Sequence, residues 1–286
     1  MTTSNANFKS AVFLSEIGSD HLPLFHFPLL AQFNDLLHFI TTRQGGCSDP
    51  PFSSFNLASH VGDREEHVLK NRDKLAKALG ISAKHFFFNH QEHGTNILLI
   101  NHNQKAGLDN DKNSTDVIPA SDALVTDQKN VCLLIFVADC VPILLFDYRK
   151  KIIGLVHAGW KGTVGLISQK TVQFMQSHYG SQGQDILCAI GPSIGPCCYQ
   201  IGMDVLVKVR ESFPQEKYRL IRYASHLKKH YFNLWQANII QLLKAGIPER
   251  NIALAELCTS CHSGQFFSSR KERGLTGRFA AGIMLR

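Results

Sequence analysis

Continuous apolar runs of strand length recur through the middle of the chain, at Val131 to Val137, Pro142 to Phe146 and Ile152 to His157. A strand with one wet face would alternate apolar and polar positions, so these runs predict a sheet buried on both faces. A helical period appears at Val68, Leu75 and Leu79, stopped by Gly80 and preceded by Asp63 with Glu66 three residues on. That arrangement predicts a helix over about 64–79 that opens on a capping box. Trp160 to Tyr179, Gly202 to Phe213 and Phe232 to Ala245 predict further helices, and Ile186 to Ile190 and Asn251 to Leu257 further strands. Residues 1–40 are aromatic-rich without a strong period and predict one or two short strands. Thr41 to Pro51 holds Gly45-Gly46 and Pro50-Pro51, which forces a bend, and the polar stretch from Asn101 to Ala120 predicts a surface loop. Strands alternating with helices imply an α/β class of layered sheets and helices, with strand order open.

Composition narrows this reading. At 286 residues the chain makes one or two compact units, and 44% apolar with 19% charged residues excludes collagen-like, low-complexity and disordered classes. The net charge of +7 is unevenly placed, since the segment from Phe266 holds Arg270, Lys271, Arg273, Arg278 and Arg286 against the single acid Glu272. A local patch of this kind suits a small anionic substrate better than a nucleic acid, which is met by basic residues spread along a face or interleaved with aromatics. The N-terminus MTTSNANFKSAVFLSE has no basic region followed by an apolar one, and the longest apolar stretch is interrupted by Asp139 and Pro142. The expectation is a cytoplasmic protein with no membrane span, whose eight cysteines stay reduced.

Three segments carry candidate chemistry. Ala138-Asp139-Cys140 sets an acid and a thiol between two apolar strands, where an unpaired charge costs several kcal/mol. Either Cys140 is a thiolate on a metal or beside a base, or it is a small buried residue next to an Asp139 that caps a turn. His157 ends a strand and enters the Gly-flanked turn Ala158-Gly159-Trp160-Lys161-Gly162, as a ligand, a general base or a hydrogen-bonded core histidine. His93 precedes Gly94 just before an apolar run. Together they supply two imidazoles and one thiolate, a set that suits Zn²⁺ with a position left open. The rival assembly uses Cys140 as nucleophile and His157 as base without metal. Two further cysteine pairs stay outside the site. Cys258-Thr259-Ser260-Cys261-His262 has the spacing of haem attachment but no export signal, and as a structural zinc site it lacks two ligands. Cys197-Cys198 lies in a rigid Gly/Pro loop, where vicinal cysteines are usually structural and seldom ligate one metal.

The segments TTRQGG, NHQEHGTN, SDALVTD, ADCVPILLFD, GLVHAGWKG, AIGPSIGPCCYQ and LTGRFA, in this order, closely resemble the YfiH/laccase-domain family. That family is also described as polyphenol oxidase, peptidoglycan editing factor and purine nucleoside phosphorylase. The resemblance implies one domain over residues 1–286, variable over 1–40, with the fold of the toxin deamidases. It implies a zinc held by His93, Cys140 and His157, with copper as the second choice of metal. It implies phosphorolysis of adenosine, inosine and methylthioadenosine with adenosine deamination beside it, by a monomer or homodimer acting on purine nucleosides and phosphate, with no nucleic-acid or membrane partner. Arg72 is the first candidate for phosphate, with Arg43 and Arg278 behind it, His60 for ribose or purine, and Asp139 for acid–base work beside the metal. Glu92, Lys161 and Ser269 depart from the common pattern and bear on substrate preference. Three other readings stay open: a metal-free Cys-His amidase on peptides or peptidoglycan precursors, a copper-dependent polyphenol oxidase, and a metal- or redox-sensing binding protein.

Overall fold

The computed structural model describes residues 12–19, 21–101 and 119–286, so most of the expected loop at 101–120 lies outside the described residues. Two six-stranded sheets dominate. The first runs in the order Phe13–Ile17, Leu22–His26, Leu36–Thr41, Phe279–Leu285, Cys132–Val137, Phe86–Phe87. The second runs Ile252–Leu254, Ile186–Ile190, Val141–Asp147, Ile152–Ala158, Ala123–Thr126, Ile97–Leu99. A small third sheet joins Gln200–Ile201, Lys229–Phe232 and Ile221–Ala224.

The apolar runs are continuous because each large sheet is covered on both faces. Leu133, Ile135 and Val137 of the first sheet share one buried cluster with Leu144, Phe146, Ile153 and Leu155 of the second. The alternate residues Leu134 and Phe136 face Leu75, Ala76 and Leu79 of the helix Glu65–Leu79. On the other side, Ile143, Leu145 and Val156 face Val172 and Met175 of the helix Ile167–Tyr179 and Ile240 of the helix Leu234–Lys244. The architecture is therefore four layers, helix, sheet, sheet, helices, in which period-two patterning vanishes from the sequence.

Several expectations shift in detail. The helix Glu65–Leu79 has Arg64 at its N-cap position, so Asp63 and Glu66 do not form a capping box; Glu66 instead pairs with Arg64 at 2.6 Å. The expected helix Trp160 to Tyr179 breaks into Trp160–Val164 and Ile167–Tyr179, because Leu166 takes a left-handed backbone with φ 63°. Gly165 is required there, since a Cβ would lie 2.5 Å from the Thr95 methyl. Residues 12–41 hold three strands, not one or two, and the short helix Pro28–Ala31. Phe279–Leu285, within the segment read for its positive charge, is a fully buried central strand.

Candidate metal centre and its cavity

His157 lies near the end of Ile152–Ala158, opposite Pro142 in the antiparallel ladder with Val141–Asp147. Cys140 sits in the tight turn that joins Cys132–Val137 to that strand, a turn made by Asp139 at φ 88°. His93 belongs to the loop before Ile97–Leu99 and is also left-handed, at φ 61°. These three separate pieces meet: one ligand atom from each of His93, Cys140 and His157 lies within 4.8 Å of the others. The two imidazoles cross edge to face, with ring centroids 4.8 Å apart.

Asp122, at the start of Ala123–Thr126, builds this arrangement, and nothing in the sequence reading singled it out. Its Oδ1 accepts from His157 Nδ1 at 2.8 Å and from the His93 amide at 2.9 Å. Its Oδ2 accepts from the Gly94 amide at 2.6 Å and the Glu92 amide at 3.3 Å. One buried carboxylate thus gathers three successive amides, holds His93 in its left-handed conformation and leaves His157 Nε2 for Cys140 and any bound ion. Gln91 fixes the same loop to the first sheet by donating to the Phe136 carbonyl and accepting from its amide, at 3.0 and 2.9 Å.

Electrostatics favour a charged site. Burial alone would push the Cys140 thiol up, but His157, together with hydrogen bonds from both imidazoles, brings it down to about 6. Burial opposes a proton on His157, yet the Cys140 sulfur and the Asp122 carboxylate lift it to about 9. Both shifts favour a thiolate beside an imidazolium in the metal-free site, and the proton of an imidazolium is released when a cation takes its place. Two nitrogens and one thiolate, backed by a carboxylate, are the donor set of a mononuclear site with one position open. Gly159 completes the cradle, because a Cβ there would stand 3.0 Å from His93 Cδ2 and 3.1 Å from Cys140 Sγ.

The centre lies in a cavity of about 450 Å³ whose lining includes Phe136, Trp160 and Tyr199 together with Arg270, Arg273 and Arg278. His60, Asp139 and Ser269 also line it. Partial burial and the neighbouring Arg278 lower the pKa of His60, which favours a neutral ring. The two leading arginine expectations change. Arg43 does not line the cavity: it donates to Ser53 O, Ser263 O and Glu272 Oε1 at 3.0, 2.8 and 2.9 Å and stacks on Phe267, which makes it a clamp between loops. Arg72 is buried behind the cavity wall, its Nε donating to Leu57 O at 2.9 Å and its guanidinium over the Phe88 and Phe136 rings. Asp139 has both carboxylate oxygens engaged, accepting from Thr259 Oγ1 and from the Arg270 amide at 2.6 Å each. It therefore ties the loop holding Arg270 to the turn that carries Cys140. Arg270 and Arg273 belonged to the charged segment noted in the sequence but were not distinguished there from Arg278.

A family model described as "Multi-copper polyphenol oxidoreductase laccase" matches residues 37–286. The chain is 38% identical over 244 residues to "Purine nucleoside phosphorylase YlmD" of Geobacillus stearothermophilus, covering 85% of this chain and 88% of that protein. It is 34% identical over 249 residues to "Adenosine deaminase RL5" from an unknown prokaryotic organism, covering 86% and 92%. Among solved structures, that of YlmD from Geobacillus stearothermophilus superposes with a TM-score of 0.86 at 35% identity, over 95% of this chain and 99% of the other.

Proposed function

The chain belongs to the multi-copper polyphenol oxidoreductase laccase family, and from that premise we propose that it is a zinc-dependent purine nucleoside phosphorylase with adenosine deaminase activity, built as one catalytic domain. The observation that carries this reading is the His93–Cys140–His157 group opening on a cavity that combines three arginines with three aromatic rings. A purine needs flat apolar faces, which Phe136, Trp160 and Tyr199 offer. Phosphate needs fixed positive charge, which Arg278, Arg270 and Arg273 supply through charge-assisted hydrogen bonds. Arg72 stays in the proposal at one remove: its buried guanidinium braces Phe136 and adds to the positive potential at His60. His60, held neutral, can give one hydrogen bond and accept another at ribose or base.

His93, Cys140 and His157 would hold the metal. When bound, zinc supplies Lewis acidity and brings a water toward a pKa of about 7. The residues of the chain do the rest. Asp122 fixes the His157 tautomer, Asp139 holds the loop of Arg270 against the site, and Phe136, Trp160 and Tyr199 offer apolar surface to the base. Three donors from one mononuclear centre support zinc over copper, since a laccase reaction needs several copper centres for four-electron oxygen reduction.

The test is incubation of the purified, metal-analysed protein with inosine and with adenosine, with and without phosphate. The expected result is phosphate-dependent release of hypoxanthine from inosine, and inosine formed from adenosine. Inosine cleavage that proceeds equally without phosphate overturns phosphorolysis in favour of hydrolysis. The Asp122–His157–Cys140 chain also has the order of a metal-free amidase triad, and no turnover of either nucleoside together with cleavage of a peptide amide that survives complete chelation would favour that second reading.

A further inference from the structure

Neither cysteine pair set aside in the sequence has four ligands of its own, but the fold supplies each with the other. The loop Gly191 to Tyr199 and the segment Cys258 to His262 run side by side, joined by the Ser193 amide on Leu257 O and the Thr259 amide on Ser193 O at 3.2 and 3.1 Å. The sulfurs of Cys197, Cys198, Cys258 and Cys261 all lie within 4.8 Å of one another. Cys261 Sγ stands 3.6 Å from Cys197 Sγ and 3.4 Å from Cys198 Sγ, and all eight cysteines are free thiols.

We propose that Cys197, Cys198, Cys258 and Cys261 form a second metal site, structural in role, that binds one thiophilic divalent cation of the zinc class independently of His93, Cys140 and His157. Four thiolates at about 2.3 Å from a tetrahedral zinc are separated from one another by about 3.8 Å, close to the spacings seen here. An iron–sulfur cluster would put its own atoms between the cysteines and hold them farther apart. The local backbone is built for a thiolate: the Gly195 amide donates to Cys258 Sγ at 3.2 Å. Gly195 must lack a side chain, because a Cβ there would meet Trp235 at 2.9 Å and Cys258 Cβ at 3.1 Å. Cys258 is buried while Cys197 and Cys261 are exposed, so an ion can enter from solvent. The clamp has a target. Tyr199 follows Cys198 directly, and Arg270 donates to Gln200 O at 2.9 Å and to Cys198 O at 3.4 Å while lying over the Tyr199 ring. Both residues line the cavity, so the second ion would hold that wall in place.

The test is zinc content by mass spectrometry on protein purified under reducing conditions. Two equivalents per chain are expected, falling to one in Cys140→Ala and to one in Cys197→Ser/Cys261→Ser, both of which change residues in loops or turns. A single equivalent that persists in Cys140→Ala would uphold the second site and count against the catalytic one. An equivalent lost in Cys140→Ala but unchanged in Cys197→Ser/Cys261→Ser overturns the proposal. Thiol labelling of the unaltered protein gives an answer that does not depend on variant folding. Cys197 and Cys261 should resist a water-soluble thiol reagent until a chelator is added. Immediate labelling of both without chelator, or an intact mass two hydrogens short that shows a disulfide between them, would also overturn it.

Discussion

Replacing Asp122 by Asn is the sharpest perturbation of the metal centre, because the side chain keeps its shape and loses its charge. The carboxylate accepts four hydrogen bonds, two on each oxygen. If the amide oxygen of Asp122→Asn stays on the His157 and His93 side, its NH₂ faces the Gly94 and Glu92 amides, donor against donor. Each buried donor left unpaired costs about 1–3 kcal/mol, and the shorter Gly94 contact bears most of it, so a loss of about 2–4 kcal/mol of stability is expected. If the amide turns the other way, His157 loses its acceptor and its tautomer is no longer fixed. Either way the metal ligands lose their orientation, and removing an outer partner of a ligating histidine costs typically about 10–100-fold in affinity, or about 1.4–2.7 kcal/mol. The assay is competition for zinc against a chromophoric chelator, read beside a denaturation curve of the metal-free protein. A metal affinity within twofold of the parent, in a variant that unfolds at its expected lower stability, would refute the claim that Asp122 sets the ligand geometry.

Gly159→Ala should cost at least tenfold in metal affinity with little change in the stability of the metal-free fold, because the added methyl group stands 3.0 and 3.1 Å from His93 Cδ2 and Cys140 Sγ; the same competition titration checks it. Arg278→Gln should lower kcat/KM for inosine by roughly 10- to 200-fold, mostly through the phosphate KM, as expected for losing a bond of about 1.5–3 kcal/mol to a charged group. Arg43→Gln should instead lower thermal stability and leave the phosphate KM unchanged, and a phosphate titration of both variants separates them. Buried His38 accepts the Phe27 amide at 2.9 Å, and burial, with His26 beside it, lowers its pKa from 6.5 to about 3. The unfolded chain then binds a proton that the folded one refuses, so stability falls as pH drops below about 6.5. Between pH 7.5 and 4.5 the contribution lost is about 2.7 kcal/mol, which His38→Gln should remove from the pH dependence of urea unfolding.

The strands Cys132–Val137, Val141–Asp147 and Ile152–Ala158 were legible because apolar residues on both faces leave an uninterrupted run. The same property hid the layering: a run buried between two sheets reads like one buried between a sheet and helices. Phe279–Leu285 escaped because its Ala-Ala-Gly stretch is inconspicuous, and the fold requires that smallness where Phe39 crosses Gly282, whose Cβ would sit 2.3 Å from the ring. His93, Cys140 and His157 could be picked out by residue type and by the motifs around them. Asp122 could not, since its role is to accept from atoms 28 to 35 residues away, and only the SDALVTD segment hinted at it. Arginine function was the least legible, because stacking on Phe267, bracing Phe136 and facing the cavity are set by tertiary neighbours and leave no mark on local sequence.

The position of Phe279–Leu285 also bears on how the molecule comes into being. It lies between Leu36–Thr41 and Cys132–Val137, so the first sheet is two fragments until this strand, which follows both in the chain, inserts between them. A nascent chain carries the meander Phe13–Ile17, Leu22–His26 and Leu36–Thr41 with an open edge until Phe279–Leu285 has been made and docks, and such an edge is exposed to chaperones and to misassembly. Pairing over such separations makes closure slow. Arg278 immediately precedes the inserting strand, so the cavity acquires that charge in the event that welds the sheet. A chain that has not yet placed Phe279–Leu285 therefore has neither a joined first sheet nor the full set of cavity-lining arginines.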